Sequence, residues 1–197
     1  MSETADMSRA ETTRSRLLEA AVQAFAEKGF HGTTTRDIAS AAGMSPAALY
    51  VHHKSKEELL YLISKDGHEA TLTLMRAAIA ATDSPVEALH QVVHDFALHH
   101  TRGHTGARVV NYELAALSPE HLIEIRGIRH QIEEEMRALV QHGVKTGAFD
   151  TDDPYMTAAA LLSLGIDLAR WYHDSGRWSP EQIADQYAGM ALRIVGA

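Results

Sequence analysis

At 197 residues with 45% hydrophobic content, the chain is long enough to bury a sizeable core and does not read as disordered. It has no cysteine, which excludes disulfides and thiolate chemistry, and its polar N-terminus lacks the apolar stretch of a signal peptide, so a soluble, cytoplasmic protein is expected. The net charge of −8 argues against a broadly basic, nucleic-acid-coating surface; residues 1–60 hold seven Lys or Arg against eight Asp or Glu, so a DNA partner has to be argued from a motif.

Residues 1–10 are polar and are expected to form a disordered tail. The first helix follows, with Leu17, Leu18, Ala21, Val22, Ala24 and Phe25 at helical spacing and Lys28-Gly29 as a cation and a glycine stop. A short helix is predicted over 33–42, begun by threonine caps and ended by Gly43, and a second from Ser45-Pro46 to about Val51. Ser55 and Glu58 have the spacing of a capping box and open a long helix to about Ala81.

All five prolines follow a good N-cap residue: Ser45-Pro46, Ser84-Pro85, Ser118-Pro119, Asp153-Pro154 and Ser179-Pro180. Proline suits the first helical position because its missing N–H has no intrahelical partner there. Glu87 and Gln182 stand where capping boxes want them. No alternating β-branched run reads as a strand, so the fold class is all-α with about nine helices, and 101–106 is the loosest internal stretch. The longest apolar run, 156–172, carries Asp167 and Arg170 and is short for a membrane span, so no membrane partner is expected.

Residues 33–59 read TTTRDIASAAGMSPAALYVHHKSKEEL. These are two short helices joined by a glycine turn and followed at once by a capped long helix, the layout of a helix-turn-helix. Ile38, Ala39 and Leu49 can pack the pair together. Polar residues gather where phosphates would lie: Thr34, Thr35, Arg36, Ser45, Tyr50, His52, Lys54 and Lys56.

The segment resembles the DNA-binding domain of the TetR family of bacterial regulators. Their pattern, Phe-x-x-x-Gly-Phe-x-x-Thr-Thr, then Ile-Ala-x-x-Ala-Gly-Val-Ser, then Leu-Tyr-x-His-Phe-x-x-Lys-x-x-Leu, stands here from Phe25 to Thr34, from Ile38 to Ser45 and from Leu49 to Leu59. The resemblance implies that Thr34, Thr35, Tyr50, His52 and Lys56 hold phosphates, while Arg36, Pro46, Ala47 and Ala48 face the major groove, Arg36 as a bidentate partner for guanine. The usual aromatic after Tyr-x-His is His53 here, which either packs in the phenyl's place or makes DNA binding pH-sensitive. Residues 11–55 would be the DNA-binding domain and 56–197 a regulatory domain that binds a ligand and dimerises. The last two helices, 153–172 and 179–195, would form a four-helix bundle with a partner's pair. Ala158, Ala159, Leu161, Leu162, Gly165, Ile166 and Ala169 offer the apolar surplus that such an interface wants.

The implied function is repression of transcription at double-stranded operator DNA by a homodimer that a small-molecule effector releases. The Arg170-Trp171-Tyr172 ending and the helix start after it resemble regulators that sense acyl-CoA or other lipid-breakdown intermediates. Arg108, Asn111, Tyr112, Asp167 and Trp171 are the candidate ligand-binding residues, Asp167 being either in the cavity or paired with Arg170. No catalytic constellation or cofactor motif is read, so an enzyme is not expected.

Two other classes stay open from sequence. One is an all-α metal-binding protein or metalloenzyme using His90, His94, His99 and His100, in which His90 and His94 share a helix face. Against a metal stands a plainer reading, with His94 solvated and His90 and His100 on an apolar face. The other is an architectural DNA-binding protein with no ligand. The run Glu133 to Glu135 reads as a solvated helix face.

Overall fold

The computed structural model describes the backbone of residues 2–197 and the side chains from residue 11 onward. Helix α1 is Ser2–Gly32, so the backbone is helical across most of the expected tail; residue 1 and the side chains of 1–10 lie outside the described residues. The predicted stop at Gly29 is a kink, with φ +69°, a left-handed value that glycine adopts without strain. Then come α2 (Thr35–Ala41), α3 (Pro46–His52), α4 (Lys56–Ala80), α5 (Pro85–Arg102) and α6 (His104–Tyr112), a short 3₁₀ turn at Leu114–Ala116, α7 (Pro119–Thr146), α8 (Pro154–Trp171) and α9 (Pro180–Ile194). No strand occurs among the described residues, and none of their helices is long and apolar enough to cross a membrane.

Each proline opens its helix as predicted. The hydroxyls of Ser45, Ser84, Ser118 and Ser179 and the carboxylate of Asp153 accept backbone N–H bonds from the first turns they precede. Gln182 completes a capping box with Ser179. Two glutamates reach elsewhere. Glu58 accepts from the Lys54 N–H, one residue before the cap, and Glu87 accepts from the Thr82 hydroxyl at 2.7 Å. The stretch read as loose, 101–106, is the end of α5 and the start of α6, broken at Gly103.

Leu17, Ala21, Phe25, Ile38, Ala39, Leu49, Leu59 and Leu60 are buried and join α1–α3 to the start of α4. Helix α4 then continues into the second half, where it packs on α5, α6 and α7, while α9 packs on α5. One continuous core therefore runs from the N-terminal unit into the helices around α4.

The structure corrects the expectation for α8. Ala158, Leu161, Leu162, Gly165, Leu168 and Ala169 are buried within the chain itself. Gly165 lies against Phe96 of α5 so closely that a Cβ there would run into the ring. Of the expected interface residues Ala159 is exposed and Ile166 half-buried, and the large exposed apolar side chains of α8, α9 and their connection are Leu164, Trp171, Trp178, Met190 and Ile194, with Tyr155 and Met156 at the start of α8.

Candidate nucleic-acid interface and ligand cavity

Helices α2 and α3 are set by their caps. Thr34 caps α2 in a reciprocal box with Asp37: its N–H and hydroxyl donate to the Asp37 carboxylate at 2.8 and 2.6 Å, and the Asp37 N–H donates back at 3.1 Å. Hydrogen bonds from the Thr34 side chain and from Lys28 hold the Asp37 carboxyl well below the usual carboxylate range. Gly43, with φ +69°, makes the turn, and Arg16 of α1 donates to the Ala42 carbonyl at 2.8 Å. Ser45 caps α3 through the Ala48 N–H at 3.2 Å.

This scaffold leaves Arg36, Ser45, Pro46, Ala47, Tyr50 and Lys54 exposed together, with Thr35, Ala48 and His52 half-buried beside them. The Thr35 and Tyr50 hydroxyls lie 3.2 Å apart and link α2 to α3. Thr34 belongs to the same edge, but its side chain is engaged in the cap. Sequence reading missed Val51, which is 80% exposed on α3, an unusual place for a valine in a folded helix. The signal was available, since Val51 is the variable residue between Tyr50 and His52.

Lys56 differs from its expected placement. Its Nζ donates to the carbonyls of Phe30 at 2.7 Å and Thr33 at 2.8 Å and lies 4.2 Å from the Phe30 ring centroid. The end of α1 presents carbonyls without helical partners, and the lysine satisfies them instead of pointing at solvent. His53 is buried, with Nε2 lacking a hydrogen-bond partner, and burial pushes its pKa down. It packs in the place expected of a phenyl ring.

A cavity of about 490 Å³ lies among α4, α5, α6, α7 and α8. Its walls are mostly apolar, with Ile63, Phe96, Val110, Ile132, Leu162 and Ile166 prominent, and its polar lining includes His68, His99, His100, Asn111, Arg129 and Arg137. His68 and His100 donate from Nδ1 to the Ser64 and Phe96 carbonyls at 2.7 and 2.9 Å. Burial pushes both histidines down to about 4, so they are neutral at pH 7.

Of the five expected ligand residues, Asn111 alone lines this cavity. Helix α6 turns Ala107, Val110 and Asn111 inward, and the 100° step per residue carries Arg108 and Tyr112 to its other side. Those two lie in a groove against Phe25, Ala26 and Gly29 of α1. Asp167 is taken by Arg170, whose Nε and Nη2 donate to it at 2.6 and 2.8 Å on the surface. Trp171 lines a separate groove with Trp178, Tyr187 and Met190.

The histidines do not converge on a metal site. His90 is exposed, contrary to its expected place on an apolar face, and stacks near His94, which faces Asp95 and Asp185 at 3.0 and 3.6 Å. His99 and His100 turn toward the cavity. Among the described residues no group of three or more His, Asp or Glu could hold a metal ion. Within the acidic run, Glu133 and Glu134 are exposed, and Glu135 is paired with Arg76 at 2.7 Å.

Comparison with known proteins gives matches to both halves of this arrangement. A model of bacterial regulatory proteins of the tetR family matches residues 17–61, and one of the tetracyclin repressor-like C-terminal domain matches residues 82–195. The HTH-type transcriptional repressor KstR2 of Mycolicibacterium smegmatis is 29% identical over 183 residues, which cover 91% of this chain and 88% of the relative. A bacterial regulatory protein of the tetR family from Rhodococcus RHA1 superposes with a TM-score of 0.87 at 38% identity, covering 93% of this chain and 96% of that one. AibR, crystallised with isovaleryl coenzyme A and operator DNA, superposes with a TM-score of 0.83 at 27% identity, covering 90% and 97% of the two chains.

Proposed function

The chain belongs to the TetR family of bacterial regulatory proteins, and from that membership we propose that it is a dimeric repressor released from its operator when a small-molecule effector fills the cavity. One observation carries the reading. Helix α4 supplies Ile63, Gly67, His68 and Thr71 to the cavity, and its capped first turn follows directly on the DNA-binding unit. An occupant that changes the tilt of α4 changes the spacing of the two recognition helices, and it shifts the equilibrium only as far as it binds one arrangement better than the other.

In this reading residues 11–55 grip DNA and residues 56–197 regulate. Thr34, Thr35, Ser45, Tyr50, His52 and Lys54 contact phosphates. Arg36, Pro46, Ala47, Ala48 and the exposed Val51 face the major groove, where a valine suits a thymine methyl group. Lys56 positions α1 against α4. The outward faces of α8 and α9, with Leu164, Trp171, Met190 and Ile194, meet a second copy. The effector is an acyl-CoA or another lipid-breakdown intermediate, a class supported by the apolar walls and by the coenzyme A thioester bound to the relative AibR.

Selection from randomised duplex DNA with the purified protein tests the first half. It should return a near-palindrome with half-sites about one helical turn or more apart. Recovery of no preferred sequence would sink the operator assignment. A series of acyl-CoA thioesters from isovaleryl to decanoyl and of the matching free acids, added to the protein on that site, tests the second half, because at least one member should release it.

A further inference from the structure

Several polar groups of the cavity are held within their own helices. The Thr71 hydroxyl donates to the Gly67 carbonyl at 2.9 Å, the Asn111 amide to Ala107 at 2.9 Å, and the Ser163 hydroxyl to Ala159 at 2.8 Å, each within its own helix. Arg137 lies 4.6 Å from the Tyr155 ring centroid and 3.4 Å from Glu134. Arg129 on α7 is different. It is half-buried, its Nη1 is 3.4 Å from His68 Nε2, and no carboxylate lies within ion-pair distance among the described residues. Glu133, one turn along the same helix and also on the lining, is exposed and does not reach it.

His68 does not neutralise that charge. Because its Nδ1 donates to the Ser64 carbonyl, Nε2 carries the lone pair and accepts from the guanidinium. The imidazole therefore orients Arg129 and leaves its charge uncompensated. A partly desolvated guanidinium without a counter-ion is unfavourable, and its planar fork matches the two oxygens of a carboxylate. Arg129 and Arg137 against Glu133 leave one net positive charge on the lining. A volume of about 490 Å³ suits a small amphipathic molecule.

We propose that Arg129 receives the carboxylate head of an amphipathic monoanion whose apolar body fills the space between Ile63, Phe96, Ile132 and Leu162. This rests on the cavity being the effector site and narrows its occupant from the two classes named above to a lipid-breakdown free acid, with Arg129 the group that selects the acid over its uncharged counterpart.

Calorimetric titration of the full chain at pH 7.5 with decanoate and with 1-decanol tests it. The wild type should bind decanoate roughly tenfold more tightly than decanol or better, the scale of one charge-assisted hydrogen bond. Arg129→Gln should abolish that preference with decanol affinity little changed, Arg129→Lys should retain part of it, and Leu162→Trp, which fills the cavity, should block both probes. Equal wild-type affinities overturn the head-group assignment while leaving the cavity reading intact, as does a preference that survives in a folded Arg129→Gln. Failure of both probes to bind the wild type overturns this assignment, while release of the operator by a thioester in the series above would keep the cavity reading.

Discussion

One carboxylate oxygen of Glu57 lies 2.8 Å from the Nδ1 of His121 and accepts the Ser118 N–H at 2.8 Å, tying the first turn of α4 to the first turn of α7. The seam continues along both helices. The Tyr61 ring stacks on His121 at 3.8 Å, and the Tyr61 hydroxyl and Lys65 both donate to Glu124 at 2.7 Å. Helix α7 also carries Arg129, Ile132 and Arg137 on the cavity wall. The seam thus joins a helix that touches the cavity to the end of α4 that follows the helix-turn-helix.

If this seam transmits the signal, Glu57→Ala should weaken the communication more than either binding event. The effector-induced loss of operator affinity should shrink by about 0.5–2 kcal/mol, the range for residues on a coupling network. Effector affinity measured without DNA should change little. An unchanged loss in this variant would remove the seam from the switch.

The two lysines before α4 should separate in their effects. Lys54→Ala should reduce the salt slope of DNA binding by about one, as expected for one phosphate contact. Lys56→Met should keep the slope and lower thermal stability instead, by about 1–3 kcal/mol, because the part-buried Thr33 carbonyl loses the ammonium group and the Phe30 carbonyl keeps only the Thr33 N–H. Arg36→Ala should cost about 1–3 kcal/mol chiefly at one base pair. Scanning operator variants with each protein checks all three, and a uniform loss from Arg36→Ala would remove that residue from the groove.

Stability should fall on acidification in a window set by histidines. His68 and His100 are held at about 4 in the folded chain, whereas unfolded histidine takes up a proton near 6.5. Between those values the unfolded chain binds more protons, so each histidine lowers stability by up to about 1.4 kcal/mol per pH unit as the pH falls, and neither contributes above the window. Burial shifts His53 and His99 in the same direction. Thermal melts at pH 7.5, 6 and 5 should show the decline, and His100→Gln should flatten part of it. A flat profile from 6.5 to 5 would contradict the buried, neutral assignment.

Dimerisation should respond to Leu164 and Met190, whose side chains face outward, and not to the small residues inside α8. Leu164→Asp should yield a folded monomer in sedimentation at micromolar concentration. Gly165→Arg should unfold the chain, because the new side chain would have to displace Phe96. A dimer that survives both Leu164→Asp and Met190→Asp would place the interface elsewhere.

The elements that sequence reading located best are those specified by local chemistry. The Ser-Pro and Asp-Pro pairs, the glycine at the helix-turn-helix corner and the Thr-Thr start of α2 each act within a few residues. Helical phase was harder. The residue types in α6 gave no basis for choosing between Asn111, which faces the cavity, and Arg108 and Tyr112, which do not. Helix α8 is small and apolar on two faces, so its composition could not separate the face buried against α5 and α7 from the one left for a partner. Nothing in the sequence singles out Arg129 or His68, because their meeting depends on α4 and α7 packing side by side. Lys56 matched a family pattern, but only the fold shows α1 ending beneath its ammonium group.

In the proposed switch cavity occupancy and operator binding oppose each other, and thermodynamic reciprocity makes this directly measurable. A compound from the series of thioesters and free acids that releases the protein should be titrated into it alone and again with saturating operator DNA, at one salt concentration. Ligand affinity should be weaker on the operator, by a factor of about 5–150 for a coupling of about 1–3 kcal/mol. Equal affinities in the two titrations would contradict it.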